Sequence, residues 1–119
     1  MSNKSSVLSG SLVASDGETT TITLPFSIQD TTINEFSTVE TYTLAPSATA
    51  QTVAMGRVTT AKYAAFVADA AFGVDVDASG TYDLYNPVAV ITGTHTGFLL
   101  SNPSSTATVC VKVLVAGTR

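Results

Sequence analysis

Tryptophan is absent from the 119-residue chain, cysteine and histidine occur once each, and charged residues make up only 12%. Each shortage removes a class of function. With Cys110 alone no internal disulfide forms, which argues against an oxidised secreted scaffold; the thiol reads as a small, buried, inert hydrophobe. The single imidazole, His95, lies in TGTHTGF between two glycines, where a polar residue at a turn or strand end is expected. A nucleophilic triad needs a base beside an activated Ser or Cys, and nothing in the sequence marks such a partner. There is no Gly-x-Ser-x-Gly elbow, phosphate-binding glycine loop or Cys/His metal spacing. The expectation is a protein that is not an enzyme, with no catalytic residue, cofactor or metal.

Five basic residues face nine acidic ones, a net charge of −4, and Lys4, Arg57, Lys62, Lys112 and Arg119 are dispersed. Without a basic stripe, nucleic acid is not an expected partner. No stretch approaches the ~20 apolar residues of a membrane-spanning helix, and MSNKSSVLSGSLVAS lacks the apolar run of a signal peptide, so folding in a cytoplasm is expected. The missing tryptophan leaves Tyr42, Tyr63, Tyr82 and Tyr85 as the tyrosine platforms for a sugar, about what a sandwich uses to finish its core and rim.

What the chain has is serine and threonine, 13 and 20 residues, with abundant valine. β-Branched side chains suit a pleated surface and lose rotamer freedom in a helix. Strand candidates recur every 8 to 12 residues, the spacing of a sandwich or barrel. TTTITLPFSI is the clearest, with Ile22, Leu24, Phe26 and Ile28 alternating against Thr21, Thr23, Pro25 and Ser27. Pro25 donates no ladder hydrogen bond, so this strand belongs at a sheet edge or the proline faces away from its neighbour. VLSGSLVAS reads as a shorter, looser strand. The length suits one domain over 1–119 with a flexible arm at 1–6, built as an all-β antiparallel sandwich, jelly-roll-like, around one core.

Two stretches allow two readings. In AKYAAFVADAAFGV the residues Tyr63, Phe66, Val67, Ala70, Ala71 and Val74 fall at helical spacing, whereas the flanking β-branched residues and Gly73 favour strand, turn, strand around Asp69. In DVDASGTYDLYN, Asp75, Asp77, Ser79, Gly80 and Asp83 match five places of a calcium loop, but Asn86 replaces the closing glutamate. A hairpin with aspartates on its solvent face produces the same spacing, and that reading is preferred.

The terminal segment TATVCVKVLVAG has Val109, Val111, Val113 and Val115 on one face, which is core. Thr108, Cys110, Lys112, Leu114 and Ala116 form the other, too apolar for an ordinary wet surface and too polar for a closed interior. Either another subunit covers that face or the chain's own second sheet or a loop does.

The run from Tyr42 to Thr118, with TTAKYAAFVAD ahead of VDVDASGTYDLY and GFLLSNPSSTATVCVKVLVAGT at the end, resembles small β-sandwich virion proteins of tailed bacteriophages. The resemblance implies a structural virion protein, foremost a capsid decoration or cement protein, made in the host cytoplasm. Its partners would be copies of itself, as a homotrimer or other homo-oligomer, and the major capsid protein or other virion proteins. Thr108, Cys110, Lys112, Leu114 and Ala116 would then lie in an interface, since permanent interfaces are more apolar than ordinary surface. The alternatives are a carbohydrate-binding sandwich used for adhesion and a fibre or tail component.

Overall fold

A computed structural model describes residues 6–15, 21–30, 33, 35–37 and 39–119, with backbone alone for 6–15, 21–30 and 36 apart from Pro25. The described residues form strands and loops with no helix. β1 (Ser6–Ser15) and β2 (Thr21–Asp30) form a two-stranded antiparallel hairpin. A five-stranded sheet contains β3 (Glu35–Phe36), β4 (Glu40–Leu44), β6 (Thr60–Ala68), β9 (Val88–His95) and β11 (Val109–Thr118). In it β11 is central, with β6 and then β9 on one side and β3 and β4 at its two ends on the other. A four-stranded sheet has the order β5 (Gln51–Thr52), β10 (Phe98–Ser101), β7 (Phe72–Val76), β8 (Asp83–Tyr85). Together they make an all-β antiparallel sandwich.

Alternation on β11 explains why the sheets meet. Val109, Val111, Val113 and Val115 are each at most 2% exposed, and burying each contributes roughly 1.5–3 kcal/mol. Phe66 of β6 bridges to the second sheet, its ring 6.2 Å from Phe72 and 5.6 Å, edge-on, from Phe98. Val74 and Leu100 complete the contact from β7 and β10.

The alanine-rich stretch is a strand. It turns at Asp69, whose N–H donates to the Cys110 carbonyl (3.2 Å) and whose carboxylate accepts from the Cys110 N–H (3.0 Å). Apolar residues stand on both of its faces, buried Phe66 on one and exposed Val67 on the other, and the chain turns before β7, which is how strand residues come to fall at helix-like spacing. The counterpart of TTTITLPFSI is longer than its loose pattern suggests: β1 has ten residues, as many as β2. Pro25 stands opposite Ser11 and is exposed; a two-stranded ribbon leaves every strand one free edge, where a missing N–H costs nothing. The arm expected at 1–6 lies outside the described residues, except that Ser6 begins β1.

Polar side chains close the loops. Buried Asn102 donates to the carbonyls of Leu44, Ala45 and Ala107 (3.1, 3.1 and 2.7 Å) and accepts from the Ser104 N–H (2.9 Å), tying the β10–β11 loop to the end of β4. The buried Ser37 hydroxyl accepts from the Val115 N–H at 2.8 Å while its own N–H donates to the Val115 carbonyl, replacing a missing rung beside β11. Gly117 sits at a second register shift, so close to the Thr60 carbonyl that a Cβ has no room.

Candidate functional site: the outer face of the larger sheet

Because the four-stranded sheet packs on the valine face of β11, the opposite face of the larger sheet is left outside. Cross-strand register then brings apolar residues from three strands into rows. Leu114 stands opposite Ala65, which stands opposite Val90; Lys112 stands opposite Val67, which stands opposite Val88. Exposure is 41% for Leu114, 54% for Val67, 51% for Val88 and 43% for Val90, with Val39 at 62% beside them. A shallow groove of about 310 Å³ runs among Val39, Ala65, Val67, Lys112 and Leu114. Single exposed valines are ordinary; a contiguous field of them marks an interaction surface.

Four of the five residues expected at an interface are open to solvent: Thr108, just ahead of β11, then Cys110, Lys112 and Leu114. The chain's own second sheet covers none of these four. Ala116 differs, being only 7% exposed. It lies where β3 and β6 both pair with β11, opposite Phe36 and Tyr63 and just before the register shift. Cys110 is also corrected: the thiol expected to be buried is exposed, 3.9 Å from the Thr43 hydroxyl. The residues missed by sequence reasoning are Val39, Val67, Val88 and Val90. For Val88 and Val90 a signal was present in the alternation of VAVITG, but only strand pairing places Val67, Val88 and Val90 beside Lys112 and Leu114.

The solvent face expected for the aspartates holds for Asp77 and Asp83, which are exposed, and is corrected for Asp75, which the turn buries. Asp75 is 2% exposed, and its carboxylate accepts from the Ser79 N–H (2.7 Å), the Ser79 hydroxyl (2.8 Å) and the Gly80 N–H (2.9 Å). Burial pushes its pKa up, but the bonds from the Ser79 side chain and from the Gly80 and Ser79 N–H groups outweigh this and hold it below the usual value. Asp77, in the left-handed region at φ 59°, accepts from the Thr96 N–H and hydroxyl on one oxygen and meets His95 Nδ1 at 3.0 Å on the other. The His95 bond, with the Thr96 N–H, lowers its pKa from 3.8 to about 2. Asp83 is exposed on β8 opposite Val74.

His95 ends β9 as expected, and it does more than fill a turn. Its Nε2 is 3.0 Å from the Thr92 carbonyl. A carbonyl and a carboxylate both accept, so the ring satisfies them together when each nitrogen carries a proton. The Asp77 bond first, then the Thr92 carbonyl, raises the His95 pKa against the opposing effect of burial. The pair staples the turn after β7 to the turn between β9 and β10.

Two tyrosines are likewise occupied. The Tyr42 hydroxyl accepts from the Ala54 N–H at 2.7 Å and the Tyr82 hydroxyl from the Ala50 N–H at 2.9 Å, so both anchor the segment around β5. Comparison with protein-family models, curated proteins and solved structures gives no match.

Proposed function

We propose that this chain is a structural virion protein of a tailed bacteriophage, a capsid decoration or cement protein that self-associates and binds the capsid shell. The observation that supports this most is the apolar outer face of the larger sheet, where Leu114, Val67, Val88, Val90 and Val39 are solvent-exposed beside Lys112. Standing assemblies use such surface, and a lysine at its margin covers apolar area with its methylenes while keeping its ammonium wet. The low charge of the chain fits neutral close-packed contacts, which salt screens little. The likeness of Tyr42 to Thr118 to virion sandwich proteins supplies the setting; the exposed face supplies the chemistry.

Mass spectrometry of particles purified from the phage that carries this gene should find the chain in stoichiometric proportion to capsid subunits, still attached after a wash in molar salt. Particles that lack it would contradict the proposal. Release by salt alone would contradict the apolar mode of attachment.

A further inference from the structure

We infer that the β1–β2 hairpin of one copy lies on the outer face of the larger sheet of another copy. This deepens the self-association proposed above and rests on it. Three observations point there.

The hairpin is a sheet of its own: its strands pair with each other over ten positions and with neither sheet of the sandwich. Two strands alone are marginal in water and need something to pack on. The hairpin is also an arm. Only residues 31 and 32 separate β2 from Ile33, which is 0% exposed, and ten residues at ~3.3 Å each span about 33 Å. The Cα radius of gyration is 15.7 Å and the longest dimension 52 Å, whereas a compact chain of this length has a radius of about 13.5 Å. The arm therefore extends from the sandwich, and the chain's own valine field stays exposed.

The chemistry is complementary. Along β2 one register parity is Ile22, Leu24, Phe26, Ile28 and Asp30, opposite Ala14, Leu12, Gly10, Leu8 and Ser6, an apolar run whose one charge is Asp30 at the end of the strand. The segment 6–30 carries Asp16, Glu18 and Asp30 and no Lys, Arg or His. The outward positions of the receiving strands carry Lys112 in the valine field.

The area is adequate. A ribbon about 33 Å long and two ~4.8 Å strand spacings wide covers roughly 320 Å². Each copy gives one arm and receives one, so about 640 Å² is covered per copy, near the ~800 Å² per partner of a standard interface. Contacts between adjoining sandwiches supply the remainder.

Native Cys110 lies on the receiving sheet and serves as the probe. Full-length chain carrying Leu24→Cys or Leu8→Cys together with Cys110→Ser is mixed with unmodified chain and mildly oxidised. A covalent pair containing one of each is expected. A Phe26→Asp chain should keep a β-type circular dichroism spectrum and lose oligomer mass by light scattering; if that chain does not fold, the cross-link decides alone. An oligomeric unmodified chain that gives no mixed pair and loses no mass on Phe26→Asp would overturn the arm while leaving self-association standing. A monomeric unmodified chain would overturn both. If Leu24→Cys beside native Cys110 closes an internal disulfide within a single chain, the arm covers its own sandwich and the inference is wrong.

Discussion

The two faces of the larger sheet are made by the same strands from nearly the same residue types, yet they meet different surroundings. Inside, Val111, Val113 and Val115 are sealed by Phe66 and the four-stranded sheet. Outside, Val67, Val88, Val90 and Leu114 stand at 41–54% exposure. Hydrophobicity alone does not tell these faces apart. What separates them is size and closure: the inner face carries Phe66, which meets Phe72 and Phe98 of the four-stranded sheet, while the outer carries valines, Leu114, Ala65 and Lys112, with no second layer among the described residues. A substitution should therefore act on folding when it falls inside and on association when it falls outside.

The largest effect that tests this contrast is Val113→Asp, which buries an unpaired charge and should abolish the folded state; a cooperative thermal transition retained in that variant would erase the distinction between the faces. Phe66→Ala removes the ring that touches both Phe72 and Phe98 and should cost about 3–5 kcal/mol by urea denaturation. Asn102→Ala, at the rim between the faces, strands the carbonyls of Leu44, Ala45 and Ala107 and should cost roughly 2–3 kcal/mol. That loss should be the same in monomer and oligomer, since no outer-face residue is involved.

Smaller still is the His95–Asp77 staple. The His95 pKa is raised, so its contribution is complete below the unfolded value of 6.5 and fades as pH rises through the folded value. Asp77 is depressed to about 2, so its contribution is present above 3.8 and fades as pH falls toward 2. Stability from the staple should be greatest between pH 4 and 6.5. With Asp77 41% and His95 22% exposed, solvent screening keeps it near or below about 1 kcal/mol. Melting temperatures of His95→Gln and unmodified chain should converge above that window; a constant gap across pH 5–9 would show that the ring acts by packing instead. The smallest effect belongs to Val90→Thr on the outer face, expected to change monomer unfolding by under ~0.5 kcal/mol.

Much of the strand content was legible because alternation is local: TTTITLPFSI of the hairpin and the terminal valines of the sandwich show their period within a few residues. Both faces of β11 could be sorted from sequence, down to Leu114 and Lys112. Four things were hidden. The register that sets Val67 and Val88 beside Lys112 depends on strands more than 20 residues apart. Apolar residues on both faces of β6, buried Phe66 and exposed Val67 among them, disguise it as a candidate helix until the layer packed on each face is known. Ala116 falls on the outer face by counting and keeps that register opposite Tyr63, yet it is buried where β3 and β6 both flank β11. The pairing of His95 with Asp77 spans 18 residues and two turns, and no spacing rule announces it.

The most direct test is the mass of the folded chain in solution, measured by light scattering on the unmodified protein and on Leu114→Asp. The exposed-face account requires an oligomer for the first and, for the second, a monomer with an unchanged β-type circular dichroism spectrum that no longer attaches to particles. An unmodified chain that is monomeric and never attaches, or a Leu114→Asp chain as unfolded as Val113→Asp, would contradict it.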